Sequence, residues 1–158
     1  CFWVRHALAL ADLPVAASVI CDGIAYGYLD YVLYGDGNHE MEAIFGSQPY
    51  GAGISNWLAQ SPGFNLDRVR APVLIQGCTR SSGLVDREWY VGLRRLHQPV
   101  EMFLLEDGEH QLVRPHDRLA SSQASLDWYR FWLRGEVDAE PGKSERIARW
   151  RDWARRLR

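Results

Sequence analysis

One histidine, His110, follows a predicted strand at a position where α/β proteins carry reacting groups. The hydrophobic run Val100–Leu105 predicts a buried strand, and a long helix begins near Arg118 and stops at Gly135. In an open α/β sheet, ligands and reacting groups lie beyond the carboxyl ends of the strands. An imidazole in that position can exchange a proton near neutral pH. His110 is therefore the first candidate site residue.

The other possible ligand residues do not form a metal-site pattern. His110 and His116 are six residues apart, and no cluster of Asp, Glu or His joins them. Cys1, Cys21 and Cys78 are too few and too scattered for a disulfide framework or a zinc site, and we interpret them as small hydrophobic residues. The sequence therefore predicts no metal and no cofactor, and it leaves the cellular compartment undetermined.

Alternating helices and strands must position His110. The predicted elements, in chain order, are a helix at Phe2–Ala11, a strand at Val15–Ile20, a strand at Val73–Gly77, a helix at Asp86–Leu96, the strand at Val100–Leu105, the helix that stops at Gly135, and a last helix at Lys143–Leu157. Successive β-α-β passages imply parallel strands with right-handed crossovers. The pattern predicts an α/β fold with three layers and about three parallel strands.

Residues 24–63 interrupt this alternation with a stretch rich in tyrosine and glycine, which predicts an irregular excursion over the sheet. Its aromatic side chains either line a pocket above the sheet or form a small separate core, and the sequence leaves both open. These residues are Tyr26, Tyr28, Tyr31, Tyr34 and Phe45.

Composition limits the class of protein. The chain has 158 residues, of which 47% are hydrophobic and 24% charged, as is usual for one globular domain. The net charge of -2 gives no reason to expect a nucleic acid or an anionic membrane as partner. No apolar run approaches the roughly 20 residues that span a bilayer. Three strands make a narrow sheet, and Phe2 begins a helix without a cap, so we expect a larger sheet and a segment before Cys1.

Several sequence blocks follow one another in a fixed order: residues 16–19 (AASV) with 22–23 (DG), 68–77 (RVRAPVLIQG), 89–94 (WYVGLR), 99–102 (PVEM), 107–110 (DGEH) and 126–133 (LDWYRFWL). This series of blocks resembles the C-terminal end of prolyl oligopeptidase-family (S9) catalytic domains, and of their dipeptidyl-aminopeptidase and acylaminoacyl-peptidase-like members in particular. The resemblance implies the C-terminal portion of an α/β-hydrolase over residues 1–135, followed by a linker and a packed amphipathic helix over 136–158. It also implies a serine peptidase with a peptide substrate, completed by the missing N-terminal part of the same protein.

In the fold that this resemblance implies, a serine attacks a carbonyl, a histidine acts as base and an acid orients the histidine. His110 falls on the histidine position. The serine motif Gly-x-Ser-x-Gly is absent, but the helix that follows it matches Phe2–Ala11. We therefore expect the serine two or three residues before Cys1.

The acid departs from the family's pattern. Arg80 stands about three residues after the strand that ends at Gly77, where the family usually has aspartate. Asp86 is the nearest carboxylate downstream, and it is predicted either as the acid or as the N-cap of the next helix. Asp107 and Glu109 are expected to stay solvated. The loss of the usual acid also leaves an alternative function, a non-catalytic binding or interaction module of the same fold.

Overall fold

The computed structural model of this chain describes residues 2–35, 39–105, 108–138 and 140–157, so that Cys1 and Asp107 lie outside the described residues. Three strands are formed, β1 (Ser18–Cys21), β2 (Val73–Gly77) and β3 (Val100–Leu104). The α-helices of the described ranges are α1 (Phe2–Ala9), α2 (Tyr28–Tyr34), α3 (His39–Phe45), α4 (Ile54–Gln60), α5 (Arg80–Arg95), α6 (Pro115–Arg134) and α7 (Ser144–Arg156). None of these helices is long and apolar enough to cross a membrane.

The three strands form one parallel sheet in the order β1-β2-β3. Ser18 pairs with Val73, and Val73 pairs in turn with Val100. The central strand β2 is buried along its whole length because helices cover both faces of the sheet. The predicted α/β fold is confirmed, although β1 begins later than the predicted Val15 and extends to Cys21.

Alternate side chains of β2 enter two different cores. On one face, Val73 and Ile75 pack with Trp89 of α5 and with residues of α1. On the other face, Leu74 packs with Trp128 of α6 and Trp150 of α7. The side-chain period of 2 in a strand produces this division. The result is three layers, with the sheet between the pair α1 and α5 and the pair α6 and α7.

Helix α7 is held on the sheet by apolar and polar contacts. Its Ile147 and Trp150 are buried, and the Trp150 indole N–H donates a hydrogen bond to Glu101 of β3. Just before the helix, Lys143 forms ion pairs with three carboxylates, among them Asp127 of α6 at 2.9 Å. Burial alone would lower the pKa of Lys143, but these carboxylates outweigh it and raise that pKa. The contacts fix the C-terminal helix against the face opposite α5.

Helix α5 begins at Arg80, earlier than the predicted start at Asp86. Thr79 is its N-cap: the Thr79 side chain accepts a hydrogen bond from the Ser82 N–H at 3.0 Å, and the Ser82 hydroxyl accepts one from the Thr79 N–H at 3.0 Å. This reciprocal capping box satisfies two backbone donors at the helix start. The N-cap role predicted for Asp86 is therefore wrong, because Asp86 lies inside the helix. Helix α6 likewise begins at Pro115, before the predicted Arg118.

The aromatic residues of the excursion form a separate core. Tyr26, Met41, Phe45 and Trp57 are buried together, whereas Tyr28 and Tyr34 are exposed. The Tyr26 and Phe45 rings each meet a neighbour edge to face, which is a favoured aromatic geometry. Of the two alternatives for this stretch, the small separate core is the one that its described residues form.

Candidate active site

His110 and Asp22 meet at the carboxyl ends of the parallel strands. The His110 Nδ1 atom is hydrogen-bonded to the Asp22 Oδ2 atom, although the two residues are 88 positions apart in the chain. The His110 side chain is 75% exposed, and the Asp22 side chain is 5% exposed. The pair thus joins a buried carboxylate to an imidazole that faces solvent.

The backbone at the end of β1 places the carboxylate. Asp22 directly follows the strand, and its N–H donates a hydrogen bond to the Gln76 carbonyl at 2.8 Å, which extends the pairing with β2 by one residue. Its φ of 53° lies in the left-handed region, which aspartate tolerates better than most residues, and Gly23 follows with a φ of 100°. The chain turns away sharply there, and the Asp22 side chain remains at the sheet end.

The loop after β3 places the imidazole. The Leu105 N–H bonds to the Gly77 carbonyl at 2.8 Å, and the Gly108 N–H bonds back to the Leu105 carbonyl at 2.8 Å. Gly108 packs against the backbone of Cys78 so closely that a Cβ at position 108 would lie 2.2 Å from the Cys78 oxygen. Only glycine fits this approach, and it holds the loop that carries His110 over the end of β2.

This geometry suits a histidine that moves a proton. A carboxylate accepts hydrogen bonds, so the Nδ1 atom of a neutral His110 carries the proton, and the Nε2 atom is left to act as a base. If Nε2 takes up a proton, the Asp22 carboxylate stabilises the resulting imidazolium. In a hydrolase triad, a histidine and a carboxylate are paired in the same way.

Asp86, the acid that the sequence suggested, is engaged elsewhere. Its Oδ1 atom pairs with Arg5 of α1, its Oδ2 atom has no hydrogen-bond partner, and both side chains are fully buried. Burial raises the pKa of Asp86 to about 6, against the lowering effect of Arg5. The structure therefore brings Asp22, and not Asp86, to His110.

The sequence contains a signal for Asp22 as a site residue. The dipeptide Asp22-Gly23 ends a predicted strand, as His110 follows another, and the carboxyl ends of parallel strands meet at one edge of the sheet. Arg80, at the family's usual acid position, is exposed on the first turn of α5 and forms no ion pair with any carboxylate of the described ranges.

Two cysteines lie beside the pair. Cys21 precedes Asp22, and its sulfur is 3.6 Å from the sulfur of Cys78. Burial raises the pKa of Cys78 to about 12, so that residue remains a protonated thiol at neutral pH and is unsuited to act as a nucleophile. Within the described parts of the chain, no group of three or more His, Cys, Asp or Glu side chains could hold a metal ion.

The chain is similar to part of a curated protein, the lasso peptide isopeptidase AtxE2 of Asticcacaulis excentricus. The two are 33% identical over 95 residues, which make up 60% of this chain and 14% of the relative. No protein-family model matches the chain.

Solved structures extend the similarity to almost the whole chain. A variant of AtxE2 with Astexin3-dC4 bound has a TM-score of 0.76 and 28% identity over 98% of this chain and 23% of its own. The acylaminoacyl peptidase of Pyrococcus horikoshii has a TM-score of 0.63 and 20% identity over 83% of this chain and 22% of its own. The chain has the C-terminal portion of the α/β-hydrolase fold that these proteins share, and it spans less than a quarter of their length.

Proposed function

We propose that this chain is the C-terminal portion of a serine-type hydrolase that cleaves peptide or isopeptide bonds, with His110 as general base and Asp22 as the carboxylate that orients it. Residues 1–135 would belong to the catalytic domain, and residues 136–158 would form a linker and a helix packed on it. The segment before Cys1 would supply the serine. The observation that carries the proposal is the His110–Asp22 pair at the carboxyl ends of the strands.

The reaction assigns one task to each group. The serine oxygen attacks the carbonyl carbon while its proton passes to the His110 Nε2 atom, and Asp22 stabilises the imidazolium. The same proton then passes to the departing amine as the C–N bond breaks. Water repeats the sequence on the acyl-enzyme, releases the acid and restores the serine.

The relatives support the class of bond. One is by name an isopeptidase of lasso peptides, and another is an acylaminoacyl peptidase. Both names concern amide bonds between amino-acid residues. The strand order and the position of His110 fit that chemistry, and the 28% identity to AtxE2 over 98% of the chain favours a peptide substrate for this protein too.

Two variants of the full-length protein test the assignment of the acid. Asp22→Asn should lower kcat by about 10⁴-fold and leave the fold intact, because an asparagine holds the imidazole in the wrong tautomer. Asp86→Asn should act on stability, since its partner is the buried Arg5. Peptide hydrolysis and urea unfolding, measured on both variants, separate these effects. If Asp22→Asn keeps full activity, Asp22 is not the acid.

A fluorophosphonate probe tests the proposed nucleophile. The probe should label a serine upstream of Cys1 in the full-length protein, and an inhibitor of serine hydrolases added first should prevent the labelling. That result supports the proposed hydrolase function. Persistent absence of labelling, together with no hydrolysis of any peptide, would favour the non-catalytic binding module and overturn the proposal.

A further inference from the structure

A groove opens on the surface beside the site. It has a volume of about 350 Å³ and lies between the first two turns of α5 and the end of β3. Its lining is Thr79, Arg80, Gly83, Leu84, Arg87 and Leu104. The groove thus combines two leucines with two arginines.

Glycines create the floor of the groove. A Cβ at Gly83 would lie 2.8 Å from the end of the Leu104 side chain, and a Cβ at Gly77 would lie 2.6 Å from it. Because neither position has a side chain, Leu104 lies down against the backbone of α5. Leu104 remains 44% exposed and Leu84 52% exposed. The floor is an apolar strip that faces solvent.

The two arginines have no anionic partner within the described ranges. Arg80 and Arg87 are both exposed and lie two helical turns apart, with Leu84 between them on the same face of α5. No described Asp or Glu forms an ion pair with either. In contrast, four arginines of α7 each pair with a carboxylate: Arg146, Arg149, Arg155 and Arg156. No described carboxylate therefore neutralises the positive charge of these two arginines in the groove.

The groove is adjacent to the proposed reaction centre. Thr79, at one end of its lining, follows Cys78, whose carbonyl contacts Gly108, and His110 is two residues further along that loop. This adjacency would allow a peptide with its cleaved bond at His110 to place a neighbouring residue at the groove. Guanidinium groups bind carboxylates through charge-assisted and often bidentate hydrogen bonds, and the leucine floor suits the apolar part of the same residue.

We propose that the groove binds a carboxylate of the peptide substrate and that Arg80 and Arg87 are specificity-determining residues. The proposal rests on the proposed function, since it concerns a subsite of the same centre. It also gives Arg80 a role. With Asp22 on His110, the position that carries the acid in the family is free to carry a substrate-binding cation.

A set of matched peptides tests the inference on the full-length protein. One pair differs by an internal Glu or Gln near the cleaved bond, and a second pair by a free or an amidated C-terminus. The wild-type kcat/KM should be about tenfold or more higher for the carboxylate member of one pair. The pair that shows the preference identifies the carboxylate as a side chain or as a C-terminus.

The variants assign the preference to the groove. The double substitution Arg80→Gln and Arg87→Gln should abolish the preference, mainly through KM, and leave the kcat/KM for the neutral peptide within about twofold. Arg95 is an exposed arginine at the other end of α5, so Arg95→Gln is the matched control and should keep the preference for the carboxylate peptide. The inference is overturned if the wild type shows no preference, or if the double variant retains it.

Binding measured without turnover separates this inference from the proposed function. Fluorescence anisotropy of labelled peptides on the His110→Ala protein should show tighter binding of the carboxylate member, lost in the Arg80 and Arg87 double variant. A retained binding preference, together with a wild-type protein that hydrolyses no peptide, would support the groove and refute the catalytic role. Equal binding of both members would refute the groove, whatever the catalytic result.

Discussion

Two acid–base pairs lie close to the same sheet, and they differ in exposure. The Asp22–His110 pair joins residues that are 88 positions apart, and the Arg5–Asp86 pair joins residues that are 81 positions apart. The imidazole of the first pair is largely exposed, whereas both side chains of the second are fully buried. One pair is open to a reacting molecule, and the other is closed to it.

The closed pair connects two helices. The Arg5 guanidinium also donates a hydrogen bond to the Ile24 carbonyl at 3.0 Å and lies over the Trp89 ring at 5.6 Å. Burial lowers the pKa of Arg5 and raises that of Asp86, so each charge is stabilised mainly by the other. The pair holds α1 against α5. A charged pair near the end of a sheet is therefore a site candidate only if one of its members is accessible to a ligand.

The largest expected effect is on catalysis, at the open pair. His110→Ala in the full-length protein should lower kcat by roughly 10⁶-fold, because the base is lost. The free energy of unfolding should fall by about 1–3 kcal/mol, because the buried Asp22 carboxylate loses its hydrogen-bond partner. Peptide hydrolysis and urea unfolding measure the two quantities. His116→Ala, whose side chain is 90% exposed, is the control and should leave both unchanged. Unaltered hydrolysis in His110→Ala would remove His110 from the mechanism.

The next largest effect is on stability, at the closed pair. Arg5→Met should destabilise the fold by about 3–5 kcal/mol, because it leaves the Asp86 carboxylate buried without its cation. The double variant with Asp86→Leu should recover most of the loss, since two apolar side chains need no partner. Urea midpoints of the single and double variants measure the difference. A midpoint unchanged in Arg5→Met would show that the pair does not hold the helices.

A smaller effect is expected from moving the open pair without removing it. Gly108→Ala places a methyl group 2.2 Å from the Cys78 carbonyl oxygen, so the loop that carries His110 must shift. A displacement of about 1 Å in a catalytic group costs on the order of 10²-fold in rate. Gly142→Ala is the matched control, since nothing lies within 4 Å of its Cβ. Equal kcat in both variants would show that the position of the loop does not set the rate.

The smallest effect is on how the free energy of unfolding changes with pH. The pKa of Asp86 rises from 3.8 to about 6 on folding, so between these values the folded chain holds more protons than the unfolded chain. This carboxylate therefore makes the free energy of unfolding fall as pH rises from about 4 to about 6. Urea unfolding of Asp86→Asn across this range should show a weaker fall than the wild type. If the free energies of unfolding of the two proteins change with pH in parallel, the pKa of Asp86 is not raised by burial.

The sheet could be predicted from local patterns. The run at Val73–Gly77 is apolar because helices cover both faces of β2, and such a run is visible in one sequence. The run at Val100–Leu104 was predicted as a buried strand, and it forms β3, but only Val100 is buried there. The start of α5 could not be predicted, because its capping box has Ser82 where Glu or Gln is the usual signal. The three-layer α/β architecture and the bounds of β2 were therefore predictable from local patterns, whereas the starts of α5 and α6 were not.

The candidate site could be predicted only in part. His110 was found from its place after a strand, and its catalytic role remains a prediction. Asp22 was missed because its contact with His110 joins the end of β1 to the loop after β3, and no local spacing along the chain encodes such a contact. Asp86 was favoured by its nearness in sequence, but its position within α5 leads it to Arg5. Pairing across a parallel sheet depends on tertiary structure.

The long separation within the His110–Asp22 pair has a kinetic consequence. Contacts between distant residues require the closure of large loops, and loop closure costs conformational entropy. Parallel sheets consist of such contacts and therefore form slowly. Asp22 cannot reach His110 until β1, β2 and β3 have aligned. We therefore expect the pair to appear late in folding, after the helices, so that a partly folded chain holds both residues but not the site.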